Sequence, residues 1–319
     1  MSDLILHHYP QSPFAEKARL MLGFKGLSWR SVMIPPIMPK PDLTALTGGY
    51  RRTPVLQVGA DIFCDTAVIA RRLDREQSAP ALYPEVNEAV AASTAQFADQ
   101  VLFQHAVAIN FQPKGVAARF AGASEAIVNA FIADRKALFT GGSASRLHPS
   151  QALSQWPALL GRLERQLGET GSFLMGEEPC IADFSCYHPL WFVASNAAVA
   201  DALAPYPQVR AWMEAVAACG HGDFSAMESA EAIEAARAAE PESLPEPLTG
   251  NGIAGDSADG VAVGQAVTVA AVDYGTDAVA GELVYRDAEE IIIRREDARA
   301  GLVHVHFPQF GFRVEKASA

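Results

Sequence analysis

The spacing of apolar residues changes twice along this chain, and each change marks a different way of burying a core. Over residues 1–80 short apolar runs alternate with helical patterning. Leu4–His8 reads as a strand and Pro13 to about Phe24 as a helix, which Gly26 closes. Ser28–Ile34 has strand character; Pro35, Pro36, Pro39 and Pro41 then break regular structure, and Gly48-Gly49 marks a turn. Val55–Val58 and Ile62–Cys64, joined by Gly59-Ala60-Asp61, read as a hairpin, and Asp65 caps a helix through Val68, Ile69, Arg72 and Leu73. That order predicts a small α/β domain with a mixed sheet.

From residue 85 to 240 the period becomes helical. Val86–Phe111, Ser124–Phe139, Leu153–Leu167, Ile181–Ser195, Pro207–Cys219 and Ala226–Ala239 are Ala-rich segments separated by Pro and Gly, which predicts an all-helical bundle. Residues 241–260 read as a linker, stiff and charged at first, then flexible from Thr249 to Gly260. Residues 261–319 carry five short β runs, the pattern of a small all-β, barrel-like domain.

Composition narrows the function classes. The net charge of −12 argues against nucleic acid, whose phosphates require clustered Lys and Arg. Residues 221–259 hold nine acidic residues and one basic one, so much of that imbalance is local. No apolar run is long enough to span a bilayer, and no basic-then-apolar leader precedes the first strand. Cys64, Cys180, Cys186 and Cys219 show no paired spacing, which suggests free thiols in a cytoplasmic protein.

The segment with most chemistry in it is Tyr9-Pro10-Gln11-Ser12-Pro13-Phe14-Ala15-Glu16-Lys17-Ala18-Arg19-Leu20. Ser12 suits an N-cap, and Pro13 suits the first helical position, where no N–H is needed. A cap alone explains both residues. Together with Arg52-Thr53-Pro54-Val55-Leu56 and Asp65-Thr66-Ala67-Val68-Ile69, however, the segment resembles the cytosolic glutathione transferases over about residues 3–220. The omega-type members have Cys-Pro-Phe where this chain has Ser12-Pro13-Phe14, and other classes use a serine there. The resemblance implies a thioredoxin-like N-terminal domain at 1–80, followed by a helical domain at 85–240, and leaves the terminal β domain at 261–319 unexplained. Cys180-Ile181-Ala182-Asp183 matches the family's structural capping box, with Cys in place of Ser or Thr.

The resemblance implies glutathione as co-substrate, a small electrophile as its partner, and a homodimer. In this reading Ser12 donates its O–H to the glutathione sulfur and, with the first-turn amides, favours the thiolate. A thiol pKa lowered by about two units needs only ~2.7 kcal/mol of differential interaction. Thr53 ahead of a cis Pro54 presents backbone groups to the cysteinyl part, and Asp65 and Thr66 open a helix suited to the γ-glutamyl carboxylate. Arg52, with Arg51 beside it, suits the glycyl carboxylate, although solvated surface explains both. Tyr9, the thiolate donor in some classes, lies beyond the strand end and is the weaker choice. Without a cysteine at position 12, disulfide exchange is not expected, and Cys64 reads as a strand residue.

Phe14, Gln104 and Phe111 are candidates for the electrophile pocket. Phe97, Val101 and Ala108 share the helix face of the latter two, where core packing is the simpler account, and Trp191 and Phe192 are equally ambiguous. His304 and His306 alternate on one β face, a spacing that metal sites use. No third ligand stands out except a distant His221, so a partly exposed strand face is the expectation and no metal is. The resulting function is a glutathione transferase, or a related lyase or peroxidase. The alternative is a non-catalytic binding protein of the same fold, with the β domain as its partner module.

Overall fold

The computed structural model describes residues 3–144, 146–244 and 260–317. The first domain has strands β1 (Leu4–His8), β2 (Trp29–Met33), β3 (Val55–Val58) and β4 (Asp61–Cys64), with helices α1 (Pro13–Phe24), α2 (Pro41–Thr47) and α3 (Thr66–Glu76). β1 runs parallel to β2 and antiparallel to β3, and β3 runs antiparallel to β4. This is the mixed sheet of the thioredoxin-like fold. Successive residues of β1 face opposite sides: Leu4 and Leu6 join the core under α1 and α3, whereas Ile5 joins the core with Leu43 and Leu46 of α2.

Two expected breaks are helices. Pro41 opens α2, and Pro113 opens α6 (Pro113–Arg119). Proline ends a helix from inside but starts one at the first turn, where its fixed φ fits and its missing N–H goes unused.

The helical domain contains α4 (Glu88–Phe97), a π-helical turn at Ala98–Leu102, α5 (Phe103–Asn110), α6, α7 (Glu125–Leu138), α8 (Pro149–Thr170), α9 (Ile181–Ala194) and α10 (Pro207–Ala217). The centre is α9, buried from Ile181 to Leu190. Asp183 holds its start by accepting from the Cys180 and Leu174 amides and from Trp212 Nε1, the structural role expected of that motif. After α10 the chain returns as β5 (Phe224–Ala226), parallel to β2, and continues into α11 (Ser229–Arg237), which packs on α2.

The terminal strands are β6 (Ala266–Ala271), β7 (Val279–Arg286), β8 (Glu290–Asp297), β9 (Gly301–Pro308) and β10 (Phe312–Lys316). They form an antiparallel array in the order β10-β6-β7-β8-β9. β9 then pairs in parallel with β4, so the terminal β domain and the first domain share one ten-stranded sheet. Both edges of the four-stranded sheet are thereby covered, β2 by β5 and β4 by β9. Of the expected linker, Glu242 is pinned by Arg72 and by a bond from its amide to Asp61; residues 245–259 lie outside the described residues.

Candidate active site

The strand registers bring three separated segments to one end of the sheet. His7 is opposite Val55, and Val55 is opposite Cys64. The chain leaving β1 (Tyr9–Ser12), the chain entering β3 (Thr53-Pro54) and the chain leaving β4 (Asp65-Thr66) therefore lie side by side.

Ser12 caps α1. Its hydroxyl oxygen accepts from the Ala15 amide at 3.2 Å, and Pro13 takes the first helical position. Ser12 is 2% exposed, and among the described residues its hydroxyl makes only this accepted bond. The approach to Ser12 is held from behind by buried charge. Arg19 donates to Glu16, to the Pro10 carbonyl and to His8 Nδ1, while Glu16 also pairs with His221. Burial works against the Glu16 carboxylate, but His221 and Arg19 outweigh it and keep its pKa below the ordinary value.

The Thr53–Pro54 peptide is cis. Lys40 donates to Thr53 Oγ1 at 3.0 Å and to the Arg51 carbonyl at 3.2 Å, and its ammonium lies 5.9 Å from the Tyr9 ring centre. Burial first, then Arg135, lowers the Lys40 pKa to about 8.

Arg51 and Arg52 are both engaged with acids of the protein itself. Arg51 pairs with Asp134 of α7 at 2.8 Å and faces Asp277 at 3.7 Å. Arg52 bonds Asp273 and the Tyr274 carbonyl, and stands 3.9 Å from Asp65 Oδ2. The β6–β7 loop that supplies Asp273 and Tyr274 is stitched into the helical domain. The Gly275 amide donates to the Leu138 carbonyl, the Ser143 and Ala144 amides donate to the Val272 and Asp273 carbonyls, and Tyr274 stacks on Phe139. A side chain at Gly142 would collide with the Asp273 carbonyl, its Cβ falling 1.7 Å away.

At the third segment, Asp65 adopts φ 101° and accepts from the Ala67 amide at 3.0 Å. Thr66 Oγ1 accepts from Lys17 at 3.0 Å. The Lys17 side chain, 1% exposed, also pairs with Asp99 at 2.7 Å, and Asp99 accepts from His188 at 2.9 Å. Burial alone would raise the Asp99 pKa, yet Lys17 and His188 hold it below the ordinary carboxylate value. The chain Thr66–Lys17–Asp99–His188 thus fixes the start of α3 to α1, the π-helical turn and α9.

Phe14 is partly buried against Phe103 at 4.7 Å and His188 at 4.4 Å between ring centres. Phe111 lies farther along α5's end, beside Phe131, Phe192 and the guanidinium of Arg119. Gln104 is partly exposed between these two groups in sequence. Phe97 and Val101 are 42% and 40% exposed, so core packing does not account for them. Cys64 is a fully buried strand residue whose thiol pKa burial pushes well up. His221 pairs with Glu16 and not with the β9 histidines. His304 and His306 are buried, at 8% and 6% exposure, rather than on a partly exposed face.

Sequence reading missed Lys17, Lys40, Asp99 and His188. Lys17 lies inside the Ser12 segment but was given no role there, and Lys40, Asp99 and His188 have no local motif to mark them; only the fold makes each a neighbour of the site.

Known proteins share this fold. Residues 6–81 match the family model described as glutathione S-transferase, N-terminal domain, and residues 80–215 match the one described as glutathione S-transferase, C-terminal domain. A GST-like protein from Pseudomonas syringae is 49% identical, with a TM-score of 0.82 over 99% of this chain and 100% of its own. Glutathione S-transferase III in apo form (22% identity, TM-score 0.51, 69% of this chain and 94% of its own) shares the fold. So does the tau class enzyme MiGSTU from mango, Mangifera indica (17%, 0.52, 69% and 90%). No curated protein matches the chain. The two consecutive domain matches and a half-identical relative along the full length establish that this chain belongs to the glutathione S-transferase family.

Proposed function

We propose that the protein binds glutathione at this end of the sheet and directs its thiolate at a small electrophile. One observation carries the reading: Ser12 Oγ already accepts the Ala15 N–H at the start of α1, so the hydroxyl has its proton left to donate. A sulfur placed there meets both that O–H and the positive end of the helix. Thr66 repeats the arrangement. Its oxygen is occupied by Lys17, which leaves its own O–H, at the positive end of α3, for the γ-glutamyl carboxylate. Thr53, ahead of the cis Pro54, offers its backbone to the cysteinyl unit. With its donors directed at Asp273, Tyr274 and Asp65, Arg52 acts by holding the Asp65 corner rather than by reaching the glycyl carboxylate. The electrophile enters along Phe14, Gln104 and Phe111.

The four cysteines are all free thiols, the state a reducing cytoplasm maintains. We also propose a homodimer, which sedimentation would register as twice the 34.0 kDa chain mass. Calorimetry with glutathione, followed by thiolate absorbance in wild type and Ser12→Ala, tests the main reading. Saturable binding with a bound-thiol pKa that rises in the variant supports it. Absence of binding by folded protein removes the glutathione site, and an unchanged thiol pKa returns Ser12 to a helix cap only.

A further inference from the structure

The seam between β4 and β9 gathers a second set of side chains that the transferase reading does not use. In the parallel register Asp61 is opposite His304 and Phe63 is opposite His306. Side chains two apart on a strand share a face, so Asp61, His304 and His306 converge on the side covered by α3. Asp61 Oδ1 lies 2.9 Å from His306 Nε2 and 3.7 Å from His304 Nδ1. The three atoms all fall within 4.8 Å of one another, and all three residues are buried. We propose that Asp61, His304 and His306 form a binding site for a first-row divalent cation of the zinc type, which cross-links the terminal β domain to the glutathione-binding sheet.

Three observations support a built site over a chance cluster. First, His304 Nδ1 is buried, directed at Asp61, and has no hydrogen-bond partner among the described residues. An orphaned buried ring nitrogen costs free energy, and a metal ion supplies what that lone pair lacks. Second, the groups behind the ligands are already in place. His306 Nδ1 bonds Glu290 Oε1 at 2.8 Å, the carboxylate–histidine arrangement that orients a metal-binding imidazole. Asp61 Oδ2 accepts from the Glu242 amide at 2.8 Å, which leaves Oδ1 for the ion. Arg75 pairs with Glu290 and Arg72 with Glu242, so the outer acids are themselves balanced. Third, two ligands at ~2.1 Å from a tetrahedral ion stand about 3.4 Å apart. The 2.9 and 3.7 Å separations lie on either side of that value.

The donor set of two imidazole nitrogens and one carboxylate oxygen favours zinc, cobalt or nickel over magnesium or calcium, which prefer all-oxygen shells. Metal entry places the ion between His306 Nε2 and Asp61 Oδ1, where a proton now bridges them, and that proton leaves to solvent. With three protein ligands, a water completes the shell. The proposal is independent of glutathione binding.

Full-length protein stripped by a chelator and dialysed, then titrated calorimetrically with Zn²⁺ alone, tests it, with Co²⁺ followed in parallel by its visible ligand-field absorption. The expected result is one equivalent bound, a Co²⁺ spectrum with nitrogen ligation, and affinity at least about tenfold weaker in His304→Gln and in Asp61→Asn. Circular dichroism checks that the variants fold. No saturable binding by the wild type overturns the proposal whatever the variants do. A wild-type isotherm unchanged in folded His304→Gln also overturns it, and leaves a proton-bridged carboxylate–histidine cluster that only holds the seam.

Discussion

The Arg52 guanidinium lies 4.0 Å from the centre of the Tyr274 ring, while its nitrogens reach the Tyr274 carbonyl and Asp273 on one side and face Asp65 on the other. A residue expected to serve glutathione directly is thus the clasp by which the terminal β domain grips the Asp65 corner. The Tyr274 ring contributes a cation–π contact and a stack on Phe139, each worth about 1 kcal/mol. We expect Tyr274→Ala to lower the unfolding free energy by about 2 kcal/mol in urea titrations. It should also raise KM for glutathione more than it lowers kcat. Combined with Arg52→Ala, the loss should be less than additive, because both substitutions break one contact.

Ser12→Ala separates capping from catalysis. Loss of the cap bond to Ala15 costs about 1 kcal/mol of stability. Loss of a hydrogen bond to a thiolate costs roughly 1.5–3 kcal/mol, a fall of about tenfold to a hundredfold in kcat/KM. Denaturant titration and initial rates with glutathione and an electrophile measure the two effects on one sample.

Lys17 is buried between Thr66 and Asp99, so its removal takes the cationic partner from a largely buried carboxylate and leaves it His188 alone. Lys17→Met should destabilise the protein by about 3–5 kcal/mol. Replacing Asp99 by Leu in the same chain should recover much of that loss, since the buried charge goes with its partner. Chemical denaturation of the two variants checks the order of stabilities.

Acid should destabilise the first domain through His7 and His8. Burial, partly opposed by Gln57, lowers the His7 pKa to about 4; burial and then Arg19 lower that of His8 to about 3. Both stand below the unfolded value of 6.5, so the unfolded chain binds more protons. Their contribution is complete above pH 6.5 and declines as pH falls toward the folded values. By pH 4 each accounts for about 3 kcal/mol of lost stability. Unfolding free energy followed from pH 7 to 4 should fall, and His7→Gln should flatten the slope.

Local chemistry was legible in the sequence. Ser12-Pro13 announces a helix start, Asp65 announces the next, and the apolar run Leu4-Ile5-Leu6 announces a short strand. Family resemblance then ordered these pieces into one site. Proline was ambiguous, because it can stop an element or start one, as Pro41 does, and only the following turn decides which. Long-range pairs were not legible at all. Lys17 meets Asp99 across 82 residues, and Asp61 meets His306 across 245; no pattern within either segment points to the other. The missing third neighbour of His304 and His306 was sought in His221 and came instead from β4. The strand that joins β9 to the first domain decides that, and strand runs alone do not say which edge they will meet.

The parallel join of β9 to β4 also sets an order of events for a chain made from its N-terminus. β4 is complete early, yet its outer edge has no partner until residues 301–308 have emerged. Through most of synthesis the nascent protein therefore carries an open row of backbone donors and acceptors, the kind of edge that recruits strands from other molecules. Closing it is among the last and most distant pairings the chain makes, with a correspondingly long loop to bring together. A product that terminates after the helical domain keeps that edge unpaired, an exposed row of backbone groups on which a strand of another molecule can add.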